Sequence, residues 1–241
     1  MRTDPARRAE IARGLEQVQD RIRRACRDAG REPREITLIV VTKHFPAEDV
    51  LALHQLGVRD IGENRDQEAG PKLAQVRQRL RDEGAADVVF HFVGQLQSNK
   101  AGRVATYADV IHSVDRAKLV HALARGAEAA DRPLSVLLQI SLDGDLGRGG
   151  VPPGEAIALA SAVAAEDLLS LKGVMAVAPL GADPDESFAR LREVADGIQA
   201  LHPEATWISA GMSADLEAAV RHGATHLRVG TAILGSRPSL L

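Results

Sequence analysis

The apolar and polar positions of this chain follow two rhythms. Early in the chain, Ile11, Leu15, Val18, Ile22 and Cys26 recur three or four residues apart, which makes one stripe of a helix. Asp4-Pro5 marks its start, since a carboxylate caps free N–H groups and proline suits the first helical position. Gly30 stops it. Arginines and acids fill the positions between and predict a solvated face laced with ion pairs. Residues 36–41, Ile-Thr-Leu-Ile-Val-Val, have no polar side. A strand open to water on one face would alternate, so this one is predicted to be covered on both faces, as parallel strands are.

From there a unit repeats. Strands are predicted over 36–41, 58–61, 88–93, 110–112, 134–142, 171–177, 206–209 and 225–229. Each is followed by a helical pattern, the first opened by Pro46 and the seventh placing Ser213 at a first helical turn. Eight such units with no Pro/Ser-rich linker predict an α/β fold, a single (β/α)8 TIM-type barrel over 1–241, with the 1–30 helix packed on it. An open doubly wound sheet would need a topological switch point, and the pattern offers none.

Composition narrows the function. Net charge is −3, so no basic field invites nucleic acid or anionic lipid. Six aromatic residues in 241 leave few platforms for base stacking. A single cysteine, Cys26, excludes an intrachain disulfide and fits a reducing compartment. There is no apolar signal core, and no apolar run reaches the roughly 18 residues of a membrane span, so a cytoplasmic protein is expected. The polar exterior and scarce aromatics favour a monomer.

The barrel predicts that chemistry collects where strands end. Those positions hold Lys43, Glu63, Asn64, His91, Gly94, Ser113, Arg148, Met175, Gly211-Met212-Ser213, Arg228, Gly230 and Thr231. A lysine at the mouth of an apolar core can lose proton affinity through desolvation, which makes Lys43 a candidate Schiff-base nucleophile. A lysine snorkelling to solvent is the plain alternative. The loops after strands seven and eight are the usual phosphate site of this architecture, because unpaired backbone N–H groups and a helix dipole converge there. Ser213 and Thr231 would add hydroxyl donors and Gly230 a close backbone approach; helix capping is the common use of both hydroxyls. Asp143-Gly144-Asp145 opens like a calcium loop, but Gly147 and Arg148 break the pattern. His222 and His226 are separated by a helix end and a strand start, which argues against a shared metal. Ser213 lacks the Gly-x-Ser-x-Gly surround of a hydrolase.

Five strings together resemble a known family: AspIleGlyGluAsn (60–64), HisPheValGlyGlnLeuGlnSerAsnLys (91–100), IleHisSerValAsp (111–115), GlyMetSerAlaAsp (211–215) and ArgValGlyThrAlaIleLeuGly (228–235). They are similar to the signatures of the YggS/PROSC family of pyridoxal 5′-phosphate (PLP) homeostasis proteins. The resemblance implies a barrel of the alanine racemase N-terminal type, with PLP carried on a lysine and passed to apo PLP-dependent enzymes, without established turnover. By it Lys43 matches the Schiff-base lysine and Asn64 a position lining the cofactor. Ser213, Gly230 and Thr231 match the phosphate positions, and Arg228 the group near the pyridine nitrogen. An arginine there disfavours protonating the ring, which weakens it as an electron sink. The common SerLysThrLysPro pattern carries a second lysine, whose place is taken here by Phe45.

Two other functions use the same residues. A PLP-dependent amino-acid racemase of this kind resembles a two-base enzyme whose tyrosine comes from a separate β-domain. Here the sequence runs ten residues past Thr231, and the lone Tyr107 is expected behind a helix. A cofactor-free Schiff-base lyase would use Lys43 as nucleophile and would be colourless. His112 is expected to be structural, His91 is weighed between touching a ligand and a hydrogen-bonded structural role, and Lys100 is weighed evenly between facing the site and facing away.

Overall fold

The computed structural model describes residues 4–145 and 149–236. The elements run α1 (Pro5–Asp28), β1 (Thr37–Val41), α2 (Ala47–Gln55), β2 (Asp60–Glu63), α3 (Asp66–Asp82), β3 (Val89–Phe92), α4 (Ala101–Ala105), β4 (Val110–Val114) and α5 (Ala117–Ala129). They continue with β5 (Leu134–Gln139), α6 (Ala156–Ala164), β6 (Leu169–Met175), α7 (Pro184–Leu201), β7 (Trp207–Ser209), α8 (Leu216–Arg221), β8 (His226–Val229) and α9 (Thr231–Leu234). The strands form a closed barrel in sequence order. β8 returns to pair in parallel with β1, Val229 opposite Val40.

Helix α1 starts as expected. Asp4 Oδ1 accepts from the Ala6 N–H at 3.1 Å, with Pro5 in the first turn. Its predicted stripe, Ile11 to Cys26, is buried. The stripe packs against α9, α8 and α2. The reason lies at the other end of the chain: α9 is a single turn, too short to cover the seam between β8 and β1. The extra helix supplies that cover.

Two strands differ from expectation in a way that matters. β2 begins and ends two residues later than predicted, so Glu63 lies inside it and is buried. Gly62, which reads as a breaker, is a strand residue: a Cβ there would stand 3.0 Å from Ile39 Cγ2. β4 runs on to Val114, so Ser113 is a buried strand residue rather than part of a helix cap. Ser213 is corrected as well. Helix α8 starts at Leu216, and Ser213 stands in the turn before it.

Candidate functional site

A cavity of about 630 Å³ opens at the carboxyl ends of the strands. Its walls include Lys43, Asn64, Ser213, Arg228, Gly230 and Thr231, all six of the residues that the resemblance assigns to the cofactor, together with Phe45 and Met212. A larger depression, about 1000 Å³, lies at the opposite end, between Asp4 and Arg8 of the α1 region and the finishing turns of α2 and α3. It holds none of the strand-end residues.

Lys43 follows β1 and reaches the cavity, but it is exposed. The desolvation expected of a strand-end lysine is therefore not provided by the protein alone. It has no hydrogen-bond or ion-pair partner among the described residues. The next residue, His44, has φ 70°, the left-handed region that a side chain rarely adopts. A turn closed by the Phe45 N–H on the Thr42 carbonyl at 3.0 Å holds it there. Strain stored beside a reactive group is a common mark of a site. Phe45 itself is buried beneath the Arg7 guanidinium, 5.5 Å from its ring centroid.

Asn64 depends on Gly94. A Cβ at residue 94 would come 2.1 Å from Asn64 Oδ1, so only glycine lets Asn64 occupy the rim. Lys100 lines a separate hollow of about 330 Å³ beside Asn64 and Gln95 and does not reach the main cavity.

The last two loops are braced from outside by α1. Arg21 donates to the Ser213 carbonyl at 2.9 Å while pairing with Glu217. Arg7 donates to the Leu234 carbonyl at 2.9 Å and to Asp49 Oδ2 at 2.7 Å. Within the loop, the Met212 N–H donates to Asp215 Oδ1 at 2.6 Å. Gly230 has ordinary negative φ; glycine is needed because a Cβ would stand 2.9 Å from the Val41 carbonyl. Thr231 is the exposed first residue of α9.

Arg228 is the charged wall of the cavity and only 5% exposed. Nη1 donates to Ser209 Oγ at 2.6 Å and Nη2 to the Ala176 carbonyl at 2.9 Å. Both acceptors are neutral. Burial pulls its pKa down to about 10, with Asp215 opposing. Such a guanidinium suits a neutral ring nitrogen, which offers a lone pair and no competing charge. The site residues thus fit a flat, phosphorylated heterocycle with an aldehyde: one amine, one cation in the wall, and two hydroxyl-bearing loops.

Glu63 is buried in β2, where Oε1 accepts from Lys72 Nζ and from Thr42 Oγ1, each at 2.6 Å. Oε2 has no partner. Burial pushes its carboxyl pKa up, against the pull of Lys72 and Thr42. Lys72 also donates to the Thr42 carbonyl at 2.9 Å, immediately before Lys43. Sequence reasoning missed Lys72, because mid-helix position on α3 carries no site signal. His91 and His112 are buried strand residues and neither lines the cavity, so His112 stands as expected and His91 takes the structural of its two readings. Met175 ends β6 in a buried position, and Arg148 lies outside the described residues. Among the described residues no group of His, Cys, Asp or Glu could hold a metal ion, and no helix is long and apolar enough to cross a membrane.

Residues 14–238 match the family described as alanine racemase, N-terminal domain. The pyridoxal phosphate homeostasis protein of Mycobacterium bovis is 44% identical over 248 residues, covering 97% of this chain and 95% of that one. This chain is a member of the pyridoxal phosphate homeostasis protein family. The structure of another protein, PipY of Synechococcus elongatus with PLP bound, superposes with TM-score 0.79 at 34% identity, covering 93% of this chain and all of that one. Alanine racemase of Corynebacterium glutamicum shares the fold, with TM-score 0.65 at 19% identity; it is the longer protein, and this chain covers 62% of it.

Proposed function

We propose that this homeostasis protein holds pyridoxal 5′-phosphate in the strand-end cavity and releases it to apo enzymes that need it, without catalytic turnover. The observation that carries this is the convergence of Lys43, Asn64, Ser213, Arg228, Gly230 and Thr231 on one cavity from β1, β2, β7 and β8. The PLP-bound PipY structure supports it. Bound PLP supplies an aldehyde and an electron-withdrawing ring. Lys43 is the amine that condenses with the aldehyde. Its exposure keeps it open to incoming ligand and to competing amines, which suits reversible carriage. Arg228 meets the ring nitrogen and, being cationic, keeps it unprotonated. Ser213, Gly230 and Thr231 hold the phosphate, and Asn64 closes the side of the ring. Residues 1–241 act as one cofactor-binding unit, monomeric and cytoplasmic.

The racemase alternative needs a second base across the ring. Tyr107 does not serve. Its hydroxyl donates to Asp66 Oδ1 at 3.1 Å, its ring packs edge-on to Phe90, and burial followed by Asp66 pushes its pKa far up. The visible spectrum of the protein loaded with PLP, before and after borohydride, tests the proposal. A yellow band that borohydride abolishes, with the pyridoxyl mass on the peptide bearing Lys43, is expected. An adduct mainly on Lys72 or Lys100 would overturn the assignment. Proton exchange at the α-carbon of L-amino acids at on the order of one per second or faster would favour the racemase.

A further inference from the structure

A line of hydrogen bonds crosses the barrel beneath the cavity. Arg228 Nη1 lies 2.6 Å from Ser209 Oγ. Ser209 Oγ lies 3.0 Å from His112 Nδ1. His112 Nε2 lies 2.9 Å from His91 Nδ1, and His91 Nε2 lies 3.0 Å from Asp60 Oδ1. Asp60 is the first residue of β2, at the amino end of the barrel, and its side chain is 27% exposed. The three groups between Arg228 and Asp60 are buried.

The two ends set the direction of every link. A guanidinium only donates, so Ser209 Oγ must accept from Arg228 and its own proton is free for His112 Nδ1. A carboxylate only accepts, so His91 Nε2 carries a proton toward Asp60. The remaining link closes in one way for neutral rings: His112 Nε2–H donates to His91 Nδ1. Both histidines are then neutral Nε2–H tautomers, and charge sits at the two ends alone. A second proton on His91 would set two N–H groups against each other, and one on His112 would turn the Ser209 hydroxyl from donor to acceptor. The groups around the pair agree with this. Burial first, then His91, Arg228 and His226, hold the His112 pKa well below its ordinary value. The His226 ring stands 6.4 Å from His91, and Trp207 covers its other neighbour position at 4.2 Å.

We propose that Asp60, His91, His112 and Ser209 are positioning residues: a directed relay that couples the Asp60 carboxylate to Arg228 and fixes the guanidinium plane facing the ring nitrogen of the bound cofactor. The inference rests on the cofactor assignment above. Among the described residues no carboxylate accepts from Arg228, so it is oriented by its two neutral anchors, and the bond from the Ser209 hydroxyl to His112 fixes the rotor whose oxygen Arg228 meets. Asp60 polarises the line from the far end, which strengthens each bond in it.

Nitrogen-15 imidazole spectra of the ligand-free protein read the tautomers directly; protonated Nε2 and bare Nδ1 are expected for His91 and His112. Ser209→Ala is expected to weaken PLP roughly three- to tenfold, the worth of one hydrogen bond, and to move the visible band of the bound chromophore. Ser209→Thr keeps the hydroxyl and restores both. A PLP analogue with CH in place of the ring nitrogen should bind wild type and Ser209→Ala alike. Asp60→Asn keeps an acceptor for His91 at the exposed end, removes the charge, and should move the band with the fold intact. Either histidine protonated at Nδ1, or a band and affinity unchanged in both variants while wild type binds PLP, overturns the relay. A wild type that binds no PLP instead overturns the cofactor assignment, and the tautomer spectra then show whether the line of bonds exists without it.

Discussion

Gly14 on α1 lies directly against the carbonyl of Ile233 on α9, where a Cβ would stand 2.5 Å from the oxygen. Nothing but glycine brings the N-terminal helix this close to the turn that begins at Thr231. Gly14→Val should push α1 outward, costing about 1–3 kcal/mol of stability as overpacking does. Because Arg7 and Arg21 would move with it, PLP affinity should fall too. Urea unfolding and a PLP titration of the same variant check the pair; full affinity in a destabilised variant would show that α1 braces the fold and not the site.

Affinity is expected to rest on phosphate more than on the covalent link. Ser213→Ala with Thr231→Ala should cost two to four powers of ten if each hydroxyl gives roughly 1.5–3 kcal/mol to a charged partner. Lys43→Ala should lose the yellow band yet retain PLP non-covalently. Equilibrium dialysis of the three proteins against PLP and pyridoxal decides it; equal binding of both ligands to wild type would remove the anion site.

Lys72→Met should leave Glu63 buried without its cation, a loss of about 3–5 kcal/mol when one partner of a buried pair is removed. The Glu63 pKa is already raised in the folded protein. A carboxyl raised on folding binds more protons folded than unfolded, so stability falls as pH rises through the window above its unfolded value. Without Lys72 that window widens. The deficit of the variant in urea should therefore be larger at pH 7 than at pH 5.

His226 gives the opposite dependence. Burial, then His91, lower its pKa to about 3, with Asp60 opposing. Between its ordinary value and 3 the unfolded chain binds a proton that the folded one refuses, so stability drops as pH falls through that range. His226→Phe keeps a ring beside Trp207 and should blunt the fall, by about 2 kcal/mol between pH 7 and pH 4.5. Unfolding curves of both proteins at the two pH values measure it.

Much of this architecture is legible in the sequence because it is periodic. The stripe from Ile11 to Cys26 and the unbroken run at 36–41 each admit one element, and eight repeats admit a barrel. Glu63 reads as a loop residue because a polar side chain after Gly62 usually means a turn, and Ser113 because a serine before a helical pattern usually caps it. In a barrel they are strand positions, and Glu63 meets Lys72 from α3 through one of its two oxygens. The cavity residues follow from strand ends, yet the exposure of Lys43 does not, since strand burial says little about the residue beyond it. The line from Asp60 to Arg228 is invisible for a different reason. Its links join residues 31, 21, 97 and 19 apart; three connect neighbouring strands, and the fourth, from His112 on β4 to Ser209 on β7, exists only because the sheet closes into a barrel.

Helix α1 also sets an order of events. It precedes every strand in sequence, while its partners α8 and α9 follow β7 and β8, and the bond from Arg7 to Leu234 spans 227 residues. Contacts of such separation form late, after the loop they close has been drawn in. The part of the α1 stripe that α8 and α9 cover must therefore wait while the strands emerge, which makes it a segment a chaperone would meet on the nascent chain. The loops it braces take their final shape only when the barrel seam closes, so the walls of the strand-end cavity are complete only once β8 has paired with β1.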